Sequence, residues 1–184
     1  MMRRMRGLLI IDIQNDYFPG GAFPLVGPEA AAEAARRALD AFRAAGEPIV
    51  HLQHVWDAPD ATFMRPGTDG VEIHPLVVPA DCEPVLRKTE PNGFLGTGLE
   101  QRLRAEGIDE LVVAGMMSSM CVDATVRAGA DLGFGMTVIH DGCAAPDLEF
   151  GGTQVPGASV HAAFMAALGD GYATLVSSRE LRPG

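Results

Sequence analysis

The chain has 184 residues, 47% of them apolar and 21% charged, which sets the expectation of one globular domain over 1–184 with a sizeable core. Its net charge of −10 argues against nucleic acid and against an anionic membrane surface as partners, because both demand a basic face. Three widely spaced cysteines, Cys82, Cys121 and Cys143, give neither a disulfide framework nor a zinc ligand set, so a reducing cytoplasm is the simplest compartment.

The first residues are basic, and Arg3, Arg4 and Arg6 read as a solvated tail. The apolar run Leu8 to Ile13 is short and interrupted by Asp12, which does not suit a signal peptide. No apolar stretch reaches transmembrane length. Gly7 to Ile13 reads as a first buried strand. Pro28 to Ala45 is the clearest helix, with Pro28 suited to its first turn and Gly46 to its stop. Ala31, Ala35, Ala38, Leu39 and Phe42 form its dry face. Pro48 to His54 is a second strand. Val55 to Cys82 is long and irregular, which fits a lid or a pocket wall. Pro84 to Lys88 is a third strand, and Thr97 to Glu106 a helix. Glu110 to Gly115 is a fourth strand. A turn at Ser118-Ser119-Met120 leads to a helix opening at Cys121 and running to about Leu132. Phe134 to His140 is a fifth strand, Ala158 to Leu168 a helix and Tyr172 to Val176 the last strand. Apolar strands alternating with helices point to a mainly parallel six-stranded sheet in a three-layer α/β/α sandwich, a Rossmann-like arrangement. Ligands of such sheets bind beyond the carboxyl ends of the strands.

Three residues with complementary chemistry sit at three strand ends. Asp12 ends the first strand, Lys88 the third, and Cys121 follows the fourth. In a parallel sheet all three meet at one edge. Each has a plainer reading. A buried cysteine is commonly just a small hydrophobe, Asp12 would serve as a turn residue, and Lys88 as a solvated cation. Yet a helix start favours a thiolate, and a carboxylate inside an apolar run needs a partner. Lys88 is the only lysine in the chain. Together they form an acid–base–nucleophile set in which Lys88 stabilises both the carboxylate and the thiolate.

The segments Leu9-Ile10-Ile11-Asp12-Ile13-Gln14-Asn15-Asp16, Lys88 with Phe94 and Gly96-Thr97-Gly98-Leu99, Val112-Val113-Ala114-Gly115 and Cys121-Val122-Asp123-Ala124-Thr125 occur in this order. Ala128, Gly133-Phe134, Asp141 and His161 follow. In this combination the chain resembles the isochorismatase-like hydrolase superfamily, which includes nicotinamidases, N-carbamoylsarcosine amidohydrolases and related cysteine hydrolases. The resemblance implies a general base at Asp12, a charge partner at Lys88 and a nucleophile at Cys121. It also implies a cis peptide between Met116 and Met117 that turns the Met117 N–H toward the Cys121 N–H, making an oxyanion hole.

The chain departs from the nicotinamidase pattern where those enzymes carry metal ligands. His54 stands at an aspartate position, Trp56 and Thr62 at histidine positions, and His74 alone makes no site. The expectation is therefore no metal and no cofactor, with His51, His54 and His74 as strand, pocket and loop residues. Phe18, Phe23, Trp56, Phe94, Met116 and Met120 are candidates for a soft, partly apolar substrate pocket, although aromatics and methionines are by default core. Asp16 is either a site-ordering residue or a turn residue. The leading reading is a hydrolase acting on a C–N bond of a small amide, ureido compound or lactam through a Cys121 thioester. Vinyl-ether hydrolysis without the cysteine is one alternative. A non-catalytic or redox-sensing thiol protein on the same fold is another. The resemblance further implies a homo-oligomer acting on a small molecule.

Overall fold

A computed structural model describes residues 5–181; Arg3 and Arg4 lie outside them. Six parallel strands form the central sheet: β1 (Met5–Ile11), β2 (Ile49–His54), β3 (Val85–Lys88), β4 (Ile108–Met116), β5 (Gly135–Ala144) and, at one edge, β8 (Thr174–Val176). Their order is β3-β2-β1-β4-β5-β8. The chain starts in the middle, builds outward to β3, then crosses back to place β4 beside β1. The β1/β4 boundary is thus the switch point at which two connections diverge and leave a crevice.

Alternate residues of β1 face opposite layers. Leu8 and Ile10 pack on helix α1 (Pro28–Ala45) through its alanine-rich face, Leu39 and Phe42. Leu9 and Ile11 pack on the other face with Leu103 of α2 (Leu99–Ala105) and Val126 of α3 (Asp123–Asp131). Burial on both faces explains the unbroken apolar runs. Helix α1 has Pro28 at its first turn and stops at Gly46, whose left-handed backbone (φ 65°) no longer follows the helix.

Several boundaries differ from the sequence expectation. Arg6 is no tail residue: it lies in β1, ion-paired to Glu47 at 2.7 Å and stacked over Phe42. β5 runs on to Ala144. Beyond it a short antiparallel hairpin, β6 (Leu148–Phe150) with β7 (Thr153–Val155), precedes α4 (Gly157–Gly171). Gly151 and Gly152 turn that hairpin with positive φ (59° and 79°), as a two-residue turn requires. The helical path that carries Cys121 begins earlier than expected, at Ser118. Ser118–Val122 forms a wide turn closed by Val122 N–H on the Met117 carbonyl (3.2 Å), and α3 continues from it. The irregular 55–82 segment contains two short 3-10 turns, Asp69–Val71 and Pro75–Val77.

Candidate active site

Asp12 is the first residue beyond β1, and its backbone has left the strand with φ 49°, a conformation rare for a residue with a side chain. The carboxylate is closed to solvent. Next to it, β4 ends close against β1 because Gly115 carries no side chain; a Cβ there would collide with the Ile11 backbone oxygen. The Met116–Met117 peptide that follows is cis.

Lys88 comes from the edge strand β3 and reaches across the end of β2. Its Nζ lies 2.7 Å from Asp12 Oδ2, 2.9 Å from the Glu90 carbonyl, 3.0 Å from His54 Nδ1 and 3.2 Å from Cys121 Sγ. The ammonium has three hydrogens for four acceptors, so it is held centrally among them. His54 contributes Nδ1 as a lone pair facing a cation, which leaves Nε2 to carry the ring proton. Burial, and then the Lys88 charge, hold His54 down at about 4, so the ring is neutral at pH 7. Gln14 pins this end of β2: it accepts from His54 N–H and donates to the His54 and Val71 carbonyls.

Burial pushes the Cys121 thiol well above its ordinary range, and the Asp12 carboxylate pushes it further; Lys88 opposes both. The helix-start preference for a thiolate is outweighed here by desolvation and a neighbouring anion. Burial likewise raises Asp12, with Lys88 pulling it down. Burial disfavours the Lys88 ammonium, but Asp12 and Cys121 more than offset this and raise it. The 2.7 Å contact pairs the Asp12 carboxylate with the Lys88 ammonium, and with a neutral thiol beside them the cluster has zero net charge. Moving the thiol proton to Asp12 leaves that sum unchanged, so no uncompensated charge is buried.

Asp12, His54 and Cys121 are the one group of three donor residues among the described residues whose ligand atoms gather within 4.8 Å. They do not suit a metal ion, because Lys88 Nζ already contacts all three and supplies the cation. The other histidines serve elsewhere. His51 bonds Glu83 at 3.0 Å, and His74 stacks on Phe18 with ring centroids 3.7 Å apart.

Cys121 and His54 face a cavity of about 490 Å³. One wall is an aromatic cluster of Tyr17, Phe23, Trp56 and Phe63, with Phe23 stacked on Phe63 at 4.9 Å and Trp56 edge-on to Phe63 at 5.4 Å. Met117, Met120, Leu148 and Phe164 close the other side. Of the 55–82 segment, Trp56 and Phe63 contribute to the aromatic wall. Three of the pocket candidates lie elsewhere. Phe18 stacks on His74, because it closes the short turn Asn15–Tyr17 and points away while Tyr17 faces inward. Phe94 stacks on Phe134 in the opposite layer. Met116 is completely buried in the core as the last residue of β4. Tyr17, Phe63, Leu148 and Phe164 were not among the candidates. Only their tertiary placement brings them to the cavity, although Phe63 belongs to the segment expected to form a wall.

Asp16 is buried beside the wall and lines no part of this cavity. Its carboxylate accepts from Ala22 N–H at 3.0 Å and Met64 N–H at 2.6 Å, joining the Tyr17 turn to the loop that carries Phe63. Gly70 leaves room for it; a Cβ there would collide with that carboxylate. On the other flank, Ser118 Oγ and His161 Nδ1 lie 2.8 Å apart and tie α4 to the turn that carries Cys121.

Residues 6–155 match the Isochorismatase domain. The chain is 49% identical over 91% of its length to the uncharacterized isochorismatase family protein YddQ of Bacillus subtilis, covering 93% of that protein. It is 38% identical over 90% of its length to streptothricin hydrolase of Streptomyces noursei, covering 60% of that longer protein. A crystal structure from Oleispira antarctica, assigned to the isochorismatase hydrolases, superposes with a TM-score of 0.93 at 46% identity, covering 98% of this chain and 97% of that one. The chain belongs to the isochorismatase family. It is a hydrolase of that family, whose more distant relatives include a nicotinamidase of Escherichia coli and a ureidoacrylate amidohydrolase of Variovorax paradoxus.

Proposed function

We propose that the chain is a metal-independent cysteine hydrolase that cleaves a C–N bond of a small amide, ureido compound or lactam through a Cys121 thioester. The observation that carries this reading is Lys88 Nζ held between Asp12 Oδ2 and Cys121 Sγ, with Cys121 lining a cavity.

Asp12 takes the thiol proton as sulfur attacks the substrate carbonyl and the S–C bond forms. The Met117 and Cys121 N–H groups receive the oxyanion. Lys88 holds the Asp12 carboxylate beforehand and the sulfur anion as it develops. When the C–N bond breaks, Asp12 gives its proton to the departing nitrogen. Water then attacks the thioester, Asp12 accepts its proton, and the sulfur leaves and recovers the proton as the acid product forms.

The test is mass spectrometry of the protein during turnover of a panel of small amides, ureido compounds and lactams. An acyl adduct on Cys121, absent in Cys121→Ala together with turnover, is the expected result. Full activity in Cys121→Ala would overturn the reading, and isochorismate hydrolysis insensitive to thiol alkylation would replace it with vinyl-ether cleavage.

A further inference from the structure

Resting on that reading, we infer that the part of the substrate that enters the cavity is uncharged and apolar: a neutral aryl or aliphatic amide, not a ureido acid, an amide carrying a carboxylate or one carrying an amine. The cavity wall itself carries this inference. Its exposed lining is built mainly from aromatic and aliphatic side chains, with the Tyr17 hydroxyl, the Trp56 indole N–H, His54, Thr89, Ser119 and the Cys121 thiol as its polar members, all of them uncharged. No Arg, Lys, Asp or Glu is among the described residues that line it. The charges that adjoin Cys121, Asp12 and Lys88, are paired to each other at 2.7 Å with both side chains closed to solvent. His54 is held neutral by burial and by the same lysine.

A substrate carboxylate entering this space would lose its water and find no cation. A substrate ammonium would find no carboxylate. An ion desolvated without a partner is strongly penalised, whereas an apolar group gains from the same transfer. The aromatic cluster also offers flat faces: Phe23 stacks on Phe63 with Trp56 edge-on, an arrangement that receives a ring or an alkyl chain by surface contact alone. A large, dry wall with few polar groups gives specificity by excluding charge. The hydrogen-bonding groups on it are few and uncharged.

The experiment compares three primary amides of similar length: hexanamide, the monoamide of glutaric acid and 6-aminohexanamide. Ammonia release by the wild type gives kcat/KM, and calorimetry on Cys121→Ala gives binding without chemistry. The expected result is a preference of at least about a hundredfold for hexanamide over both charged partners in kcat/KM, with the same order in binding. Leu148→Arg, on the partly exposed hairpin at the cavity, should raise kcat/KM for the glutaric monoamide at least about tenfold relative to hexanamide. Equal kcat/KM for neutral and charged amides, with a Cys121 adduct from each, would overturn the specificity while leaving the hydrolase reading intact. If no amide turns over, binding to Cys121→Ala decides: equal affinity for all three, or none for hexanamide, overturns the inference.

Discussion

Lys88 Nζ and Asp12 Oδ2 lie 2.7 Å apart with both side chains closed to solvent, although β2 separates their strands in the sheet. The long lysine stem spans that strand end, and no arginine would fit the same point-like contact among carboxylate, imidazole and sulfur. Because Asp12 raises the thiol, replacing it should have opposite effects on two reactions of Cys121. In Asp12→Asn, turnover should fall by about 10²–10⁴, the usual contribution of a general base. The pH profile of simple thiol alkylation should move to lower pH, since the neighbouring anion is gone. Lys88→Met should move it to higher pH. The measurement is iodoacetamide labelling against pH in a Cys82→Ser background, because Cys82 is exposed. An unshifted profile in both variants would mean that the three groups are not electrostatically coupled.

Asp16 joins the two halves of the aromatic wall without lining the cavity. Asp16→Asn keeps the shape but loses one acceptor, so one of the Ala22 and Met64 N–H bonds is lost. A hydrogen bond to a carboxylate contributes about 1.5–3 kcal/mol. The loop bearing Phe63 should loosen, raising KM about tenfold or more while kcat changes less than about threefold. Steady-state kinetics on a neutral amide check this. A fall in kcat alone would place Asp16 in the chemistry instead of the wall.

The meeting of Asp12, Lys88 and Cys121 is legible in the sequence because strand ends are legible. Asp12 and Cys121 follow buried apolar strands, Lys88 ends the short edge strand β3, and a parallel sheet sends all such ends to one edge. The wall was not legible on the same terms. Phe18 and Tyr17 are adjacent in the chain, and a turn of three residues decides which one faces inward. Phe94 and Phe63 look alike in composition, yet one packs under α3 and the other over the cavity. The hairpin carrying Leu148 leaves little trace in the sequence beyond Gly151-Gly152, because its strands are only three residues each and mostly exposed. The thiol also departs from the sequence expectation: a helix start favours the anion, and burial beside Asp12 reverses that preference.

Gly115 sets how closely β4 approaches β1 just before Met116 and Met117. A Cβ would collide with Ile11 backbone, and neither partner is a flexible side-chain end. Gly115→Ala should cost about 1–3 kcal/mol as overpacking, a loss of several degrees in Tm. Turnover should fall further than stability explains, because the displaced backbone is the one that delivers the Met117 N–H. Thermal denaturation and kcat measured on the same preparation check this. Unchanged kcat in a destabilised variant would confine Gly115 to a packing role.

Glu83 clamps the start of β3, the strand that ends in Lys88. Its carboxylate receives Arg43 Nε and Nη2 at 2.7 and 2.8 Å, Ala80 N–H at 3.0 Å and His51 Nε2 at 3.0 Å. Burial alone would raise Glu83, but Arg43, the Ala80 N–H and His51 together lower it from 4.5 to about 2. The folded protein therefore binds this proton more weakly than the unfolded chain. The resulting stability is complete above pH 4.5 and is lost as pH falls toward 2. Glu83→Gln removes the charge and keeps the shape. At pH 7 it should lower stability by about 1 kcal/mol, since Arg43 is partly solvated, and Tm by about 2–4 °C. The difference between the two proteins should shrink steadily below pH 4.5. Melting curves of both proteins from pH 7 down to the lowest pH at which the wild type still folds check this. A gap that stays constant across that range would show that the clamp does not act through the ionised carboxylate.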